Sequence, residues 1–263
     1  MSNKLISKIF ITLLFVLFII TGNSYAQLTG VKTIPGDYAT IAAAITDLNT
    51  QGVGSGGVTF NVAAGHTETI TAPLVLTATG TSSNPIIFQK SGSGANPLIT
   101  AYTGTATPTS ATQDGIWALV GSDYVTIDGI DLLDPNTTNP ATMEYGYGLF
   151  KASASDGCQF VTIRNCTVTL SRNNNASGTL PAAEGSKGIN VVNSTISAQT
   201  TALTPTSSAG SNSFNKFYSN LIQNSNYGIV LIGFAATTGV GPSPDPSSFL
   251  GDLGNDIGGS SLA

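Results

Sequence analysis

The chain has 263 residues, of which 9% are charged and 41% apolar, with 30 glycines and nine Lys or Arg against 14 Asp or Glu. An ordinary apolar content with a net charge of only −5 excludes a disordered chain, and the scarcity of Glu, Lys and Arg excludes a helical bundle or coiled coil. A pI near 4.6, with no basic run beyond the N-terminus, excludes a nucleic-acid partner.

Lys4 and Lys8 precede an apolar block over residues 9–20, and the small residues Ser24 and Ala26 follow it. These are the three parts of a secretory signal over residues 1–26, cleaved after Ala26. The rival reading, a membrane anchor, needs about 20 apolar residues in a row. The expected address is therefore secreted, either extracellular or at the outer cell surface, with no membrane span in the mature chain. Residues 27–263 keep seven basic against 14 acidic side chains. Such a surface repels anionic polymers unless a local patch or a bound cation intervenes.

Residues 27–56 hold the one helical pattern. Asp37 and Thr40 are its candidate N-caps, Ile41, Ile45 and Leu48 share a face over 41–49, and Gln51-Gly52 ends it. From residue 57 on, short alternating runs rich in β-branched residues read as strands: 57–62, 85–89, 124–133, 160–170 and 227–232. Cys158 and Cys166 flank the strand-like 160–163, which would hold them too far apart to bridge. They read either as a disulfide or as two small buried hydrophobes, with the spacing favouring the second.

Three segments align without gaps: Val125–Leu132, Val161–Val168 and Asn215–Ile222. A second motif precedes or follows them at Gly115-Ile-Trp, Gly148-Leu-Phe, Gly188-Ile-Asn and Gly228-Ile-Val. The unit is strand, turn, strand, two-residue bend, strand, with spare residues in loops. Three short strands per unit fit a solenoid coil, which buries its apolar face by stacking on its neighbours. A propeller blade would want four strands per repeat. The alignment stacks Ile127, Ile163 and Phe217 inward, and likewise Ile130, Cys166 and Asn220, where an Asn can bond the backbone of the next coil. It also places Asp128 beside Arg164 on successive coils as a surface ion pair.

The opening Gly36-Asp-Tyr-Ala-Thr-Ile-Ala-Ala-Ala-Ile45, then Gly57–Val62, then Ala64-Gly-His-Thr-Glu68, resembles the start of pectin methylesterases and related proteins of the pectin-lyase-like superfamily. The repeats over 115–233 resemble generic β-helix repeats, and the Thr/Ser/Asn/Gly-rich style is similar to large secreted bacterial β-helix surface proteins. The resemblance implies an all-β fold, a right-handed parallel β-helix (solenoid) with an N-terminal capping helix. Residues 57–263 would form its coils. No C-terminal cap is visible, and Asn255-Asp-Ile-Gly258 reads as the start of another coil. The expectation is a C-terminal continuation of the same protein.

Asp123, Asp128, Asp131 and Asp134 put four carboxylates within twelve residues, enough oxygen for a calcium site. Lyases of this superfamily use such calcium with a basic residue, a role that Arg164 would take. The alternative is turn-forming Asp on a solvated face, which the sequence favours because Asp128 and Asp131 straddle a bend. The catalytic sets of polygalacturonases and methylesterases do not appear. His66, the sole histidine, lies in a turn after the first core strand and is not placed in catalysis. Trp117, Phe150, Tyr218, Tyr227 and Phe234 are candidates for a sugar-stacking platform, with Tyr145, Tyr147 and Tyr218 expected on an exposed face. Phe150, Phe214 and Phe217 are more simply core, and ordinary packing is the favoured reading of the set. The sites Asn136, Asn175 and Asn193 carry glycosylation-type spacing on the expected surface.

Two functions remain. The first is a non-catalytic scaffold in adhesion, glycan contact or structure, with a polysaccharide or cell-surface glycan as its partner. The second is a carbohydrate-active enzyme, of polysaccharide lyase or hydrolase type, built on the Asp123–Asp134 cluster or on coils beyond residue 263. No cofactor other than calcium enters either reading. The missing catalytic sets favour the first.

Overall fold

The computed structural model describes residues 26–105, 112–136, 143–172, 185–234 and 250–258. Residues 1–25, where the secretory signal is expected, Asn175 and the Pro-rich run 241–246 lie outside the described residues. The chain visits three parallel sheets in turn. The first sheet stacks β1 (Leu28–Ile34), β2 (Val53–Ala63), β5 (Ile86–Ser91), β8 (Val125–Asp128), β11 (Thr162–Arg164), β14 (Lys216–Tyr218) and β17 (Asp256–Ile257). The second stacks β3 (Thr67–Thr69), β6 (Leu98–Thr100), β9 (Asp131–Leu133), β12 (Thr167–Thr169) and β15 (Leu221–Gln223). The third stacks β4 (Leu74–Leu76), β7 (Gly115–Val120), β10 (Tyr145–Lys151), β13 (Lys187–Thr195) and β16 (Tyr227–Ile232).

Inward side chains form columns, one residue per rung. Phe60, Phe88, Ile127, Ile163 and Phe217 pair in register along the first sheet, as the repeat alignment expects. Leu74, Trp117, Tyr147, Ile189 and Ile229 do the same along the third. The two columns meet in the middle. Phe60 stacks on Phe88 at 4.5 Å, and Phe88 meets Trp117 edge-on at 5.3 Å. Burial of these rings supplies the main driving force.

Two rows of left-handed residues turn the chain at the ends of the first sheet. At one end sit Tyr124, Phe160 and Phe214, and at the other Gly129, Asn165 and Ser219, all with φ between 51° and 67°. Only the second row is rich in the small or amide residues that tolerate this backbone without strain. The bend of each unit thus falls one residue later than the expected Asp128-Gly129 and Arg164-Asn165.

The helix α1 runs over Ile41–Gln51. Thr40 caps it, its Oγ1 accepting from Ala43 N at 3.1 Å, and Gly52 ends it with φ 72°. Asp37, the other candidate cap, instead accepts from Thr33 N and Oγ1. Ile41, Ala44, Ile45 and Leu48 are buried against the first strands. Glu68 occupies an inward position on the first rung of the second sheet, in register with Ile99. Its carboxylate accepts Ile41 N at 2.7 Å and Ala42 N at 3.1 Å, which accounts for a buried acid at the helix N-terminus.

The third sheet corrects two expectations. Gly148 does not align with Gly115 and Gly188. Tyr145 pairs with Gly115, and Gly148 pairs with Ala118 and Asn190. Opposite Tyr145 only a glycine fits, since a Cβ at Gly115 would lie 2.0 Å from the Tyr145 ring. Tyr145 and Tyr147, expected to be exposed, are also buried. The outer face of this sheet carries a second apolar cluster of Ala118, Tyr145, Phe150 and Val192, against which Ile196 of the following segment packs. Cys158 and Cys166 are free and fully inside, where burial pushes both thiols up to about 12. Among the described residues no helix is long and apolar enough to cross a membrane.

Candidate functional site

The residues singled out from the sequence lie close together along the chain, but their carboxylates point to different tasks. Asp128 ends β8 and meets Arg164 of the next coil. Arg164 Nη2 and Nε both donate to Asp128 Oδ2, at 2.8 and 2.9 Å, and Asn165 Nδ2 donates to Oδ1 at 2.7 Å. This is the expected inter-coil ion pair, partly exposed and worth ~0–1 kcal/mol. Asp131 starts β9, where its Oδ1 accepts Thr167 N at 2.7 Å and Asn96 Nδ2 at 2.8 Å. Asp134 follows β9, and its Oδ1 accepts Asn136 N. Asp123 precedes β8 and accepts Gln159 N at 2.7 Å. Tyr218 is buried, and its hydroxyl donates to Asp256 at 2.6 Å. Among the described residues no three His, Cys, Asp or Glu side chains gather to hold a metal ion. Calcium has no assembled site in this set.

A common rule covers the contacts of Asp123 and Asp131. At the corners, an Asn or Asp oxygen accepts the backbone N–H of the residue in the same column of a neighbouring coil. Asn215 Oδ1 accepts Val161 N, Asn220 Oδ1 accepts Cys166 N, Asn226 Oδ1 accepts Ser186 N and Asn255 Oδ1 accepts Asn215 N. Asn220 therefore does bond backbone, as expected, but that of the preceding coil, with Nδ2 also donating to Ile163 O. Sequence reasoning missed Asn212, Asn215, Asn226, Asp252 and Asn255. The signal was present as pairs 40 residues apart, Asn212 with Asp252 and Asn215 with Asn255.

Asp123 is the exception in its electrostatics. Burial, opposed by the Gln159 N–H and aided by Asp156, pushes its carboxyl up to about 6. Such a group holds an extra proton in the folded state between its ordinary value of 3.8 and about 6, so stability falls as pH rises through that window. Its partial exposure screens the effect to about 1 kcal/mol. The unfolding free energy from urea titration should carry an Asp123 contribution about 1 kcal/mol lower at pH 7 than at pH 4. Asp123→Asn, which keeps the acceptor, should remove this contribution.

Phe150 and Phe217 lie in the core as expected. Trp117, Phe150 and Tyr218 are buried and form no surface platform, whereas Phe214, expected in the core, is 42% exposed. Tyr124, Phe160 and Phe214 stack face to face at 4.6 and 5.1 Å, with planes 13° and 12° apart. Gly254, next in the column, lies against the Phe214 ring, with a Cβ there only 2.6 Å away. Both faces of Phe160 are thus spent on its neighbours in the column. A sugar stacks on a face, so this column ties coils together and offers no glycan platform.

A cavity of about 470 Å³ lies between α1 and residues 68–75. Its walls are Ala42, Ile45, Ile70 and Leu74 with several threonines. Two of the polar side chains nearby are already engaged. Glu68 caps the helix, and Asn49 donates to Val75 O and accepts Thr77 N and Ala78 N. His66 Nε2 is 4.0 Å from Glu68 Oε2. Asn193, expected on the surface, is only 3% exposed.

No protein-family model matches this chain. No curated protein is similar to it, and no solved structure matches it.

Proposed function

We propose that this chain is a right-handed parallel β-helix whose N-terminal end is capped by α1. It is secreted after loss of residues 1–26 and serves at the outer cell surface as a non-catalytic scaffold for adhesion, glycan contact or structure. One observation supports this reading above the others. Asp123, Asp128, Asp131, Arg164 and Tyr218, the residues best placed to do chemistry, are each taken up by a bond to a neighbouring part of the stack. A residue that fixes two coils together is poorly free to bind or protonate a substrate. Leu231 and Ile257 leave exposed apolar positions at the last rungs described, a surface that suits a structural or adhesive contact.

Purified residues 27–263 should release no reducing ends and no unsaturated sugar from a panel of uronate and neutral polysaccharides, with or without calcium. Release that Asp128→Ala or Arg164→Ala abolishes would replace the scaffold with the carbohydrate-active enzyme.

A further inference from the structure

Three buried oxygens at one edge of the third sheet have no partner. Asn193 Oδ1, Ser194 Oγ and Gln199 Oε1 make no hydrogen bond, on residues 3%, 2% and 4% exposed. All three residues line one cavity of about 80 Å³, between the end of β13, the segment after it and the end of β16. An unpaired buried acceptor costs free energy, and three around one cavity call for an occupant.

The orientation of both amides is fixed by their other ends. Asn193 Nδ2 donates to Leu203 O at 2.6 Å, and Gln199 Nε2 donates to Gln113 O at 3.0 Å and Ile196 O at 3.2 Å. A carbonyl oxygen can only accept, so neither amide can flip, and each must present its oxygen away from those carbonyls. The unsatisfied set is therefore two acceptors and a hydroxyl that can accept. At the rim, Gly233 lies beside Asp252, whose Oδ2 would be 3.3 Å from a Cβ built there. That carboxylate is itself paired with Lys151 Nζ at 3.9 Å, so the three unpaired oxygens, all acceptors, decide what the cavity takes.

We infer that this cavity is a site for an alkali cation, sodium or potassium, held by Asn193 Oδ1, Gln199 Oε1 and Ser194 Oγ with water completing the shell. Neutral oxygens replace the hydration of a monovalent ion, as carbonyl rings do in potassium filters. A divalent ion would want carboxylates to offset its dehydration, and the three ligands carry none. A water needs ~10–15 Å³ of such space, so the cavity has room for an ion and its waters.

The test is melting of residues 27–263 in chloride salts of sodium, potassium and tetramethylammonium at one ionic strength, together with the ²³Na line width. Tetramethylammonium has no donor and is too bulky to be held by these three oxygens. Sodium or potassium should raise the melting temperature by about 2–4 °C over tetramethylammonium. The better of the two identifies the ion. The ²³Na line should broaden with protein and narrow again on adding potassium. Ser194→Ala should shrink both signals, and Asn193→Leu should abolish them. Equal melting in all three salts with an unbroadened line would mean water alone fills the cavity and would overturn the site. So would a shift that Asn193→Leu and Ser194→Ala both retain.

Discussion

Phe88→Ala should destabilise the fold by about 3–5 kcal/mol, the range for deleting a buried aromatic ring. Phe88 is fully buried in the inward column of the first sheet. Its ring lies flat on Phe60 and takes the edge of Trp117, so the variant loses contacts to both neighbours at once. The space left behind cannot close easily, because backbone ladders hold successive coils about 4.8 Å apart. Urea unfolding should show a lower midpoint with an unchanged slope. A loss below about 1 kcal/mol would mean that the column is not packed as described.

Asn215→Leu should cost roughly 2–5 kcal/mol by a different route. Asn215 is fully buried, its Oδ1 accepting Val161 N at 2.9 Å and its Nδ2 donating to Cys158 O at 3.1 Å. Leucine fills similar space but leaves a backbone donor and a backbone acceptor of the preceding coil unpaired in a dry interior. Hydrogen exchange separates this from simple loss of packing. The Val161 amide should exchange far faster in Asn215→Leu, while the Phe88→Ala variant should speed exchange mainly through global unfolding. Unaltered protection at Val161 would contradict the bond.

Much of this architecture can be read from residues in the sequence. Thr40, Ile41, Ile45 and Leu48 specify α1 by cap and spacing, and α1 runs two residues past the expected 49 to Gln51. The column Ile127, Ile163, Phe217 follows from three gapless segments and pairs in that register. Strands of three residues such as β3, β4 and β6 carry too little periodicity to be seen. The third sheet misleads for another reason. Its β7, β10 and β13 are buried on nearly every residue, so alternation disappears and the Tyr145–Lys151 run reads as a loop with exposed tyrosines. The acidic cluster divides as the bend between its members suggests. At a two-residue bend, Asp128 and Asp131 belong to different sheets and meet different partners.

The stacking register is the claim on which the scaffold and both large stability effects rest, and paired cysteines test it most directly. Thr126 and Thr162 face each other on adjacent strands, whereas Arg164 is two residues further along. Thr126→Cys/Thr162→Cys should cross-link under mild oxidation, and Thr126→Cys/Arg164→Cys should not. The native thiols of Cys158 and Cys166, buried and pushed up to about 12, should stay out of the reaction. Preferential cross-linking of the shifted pair, or of neither pair, would contradict the stacked coils.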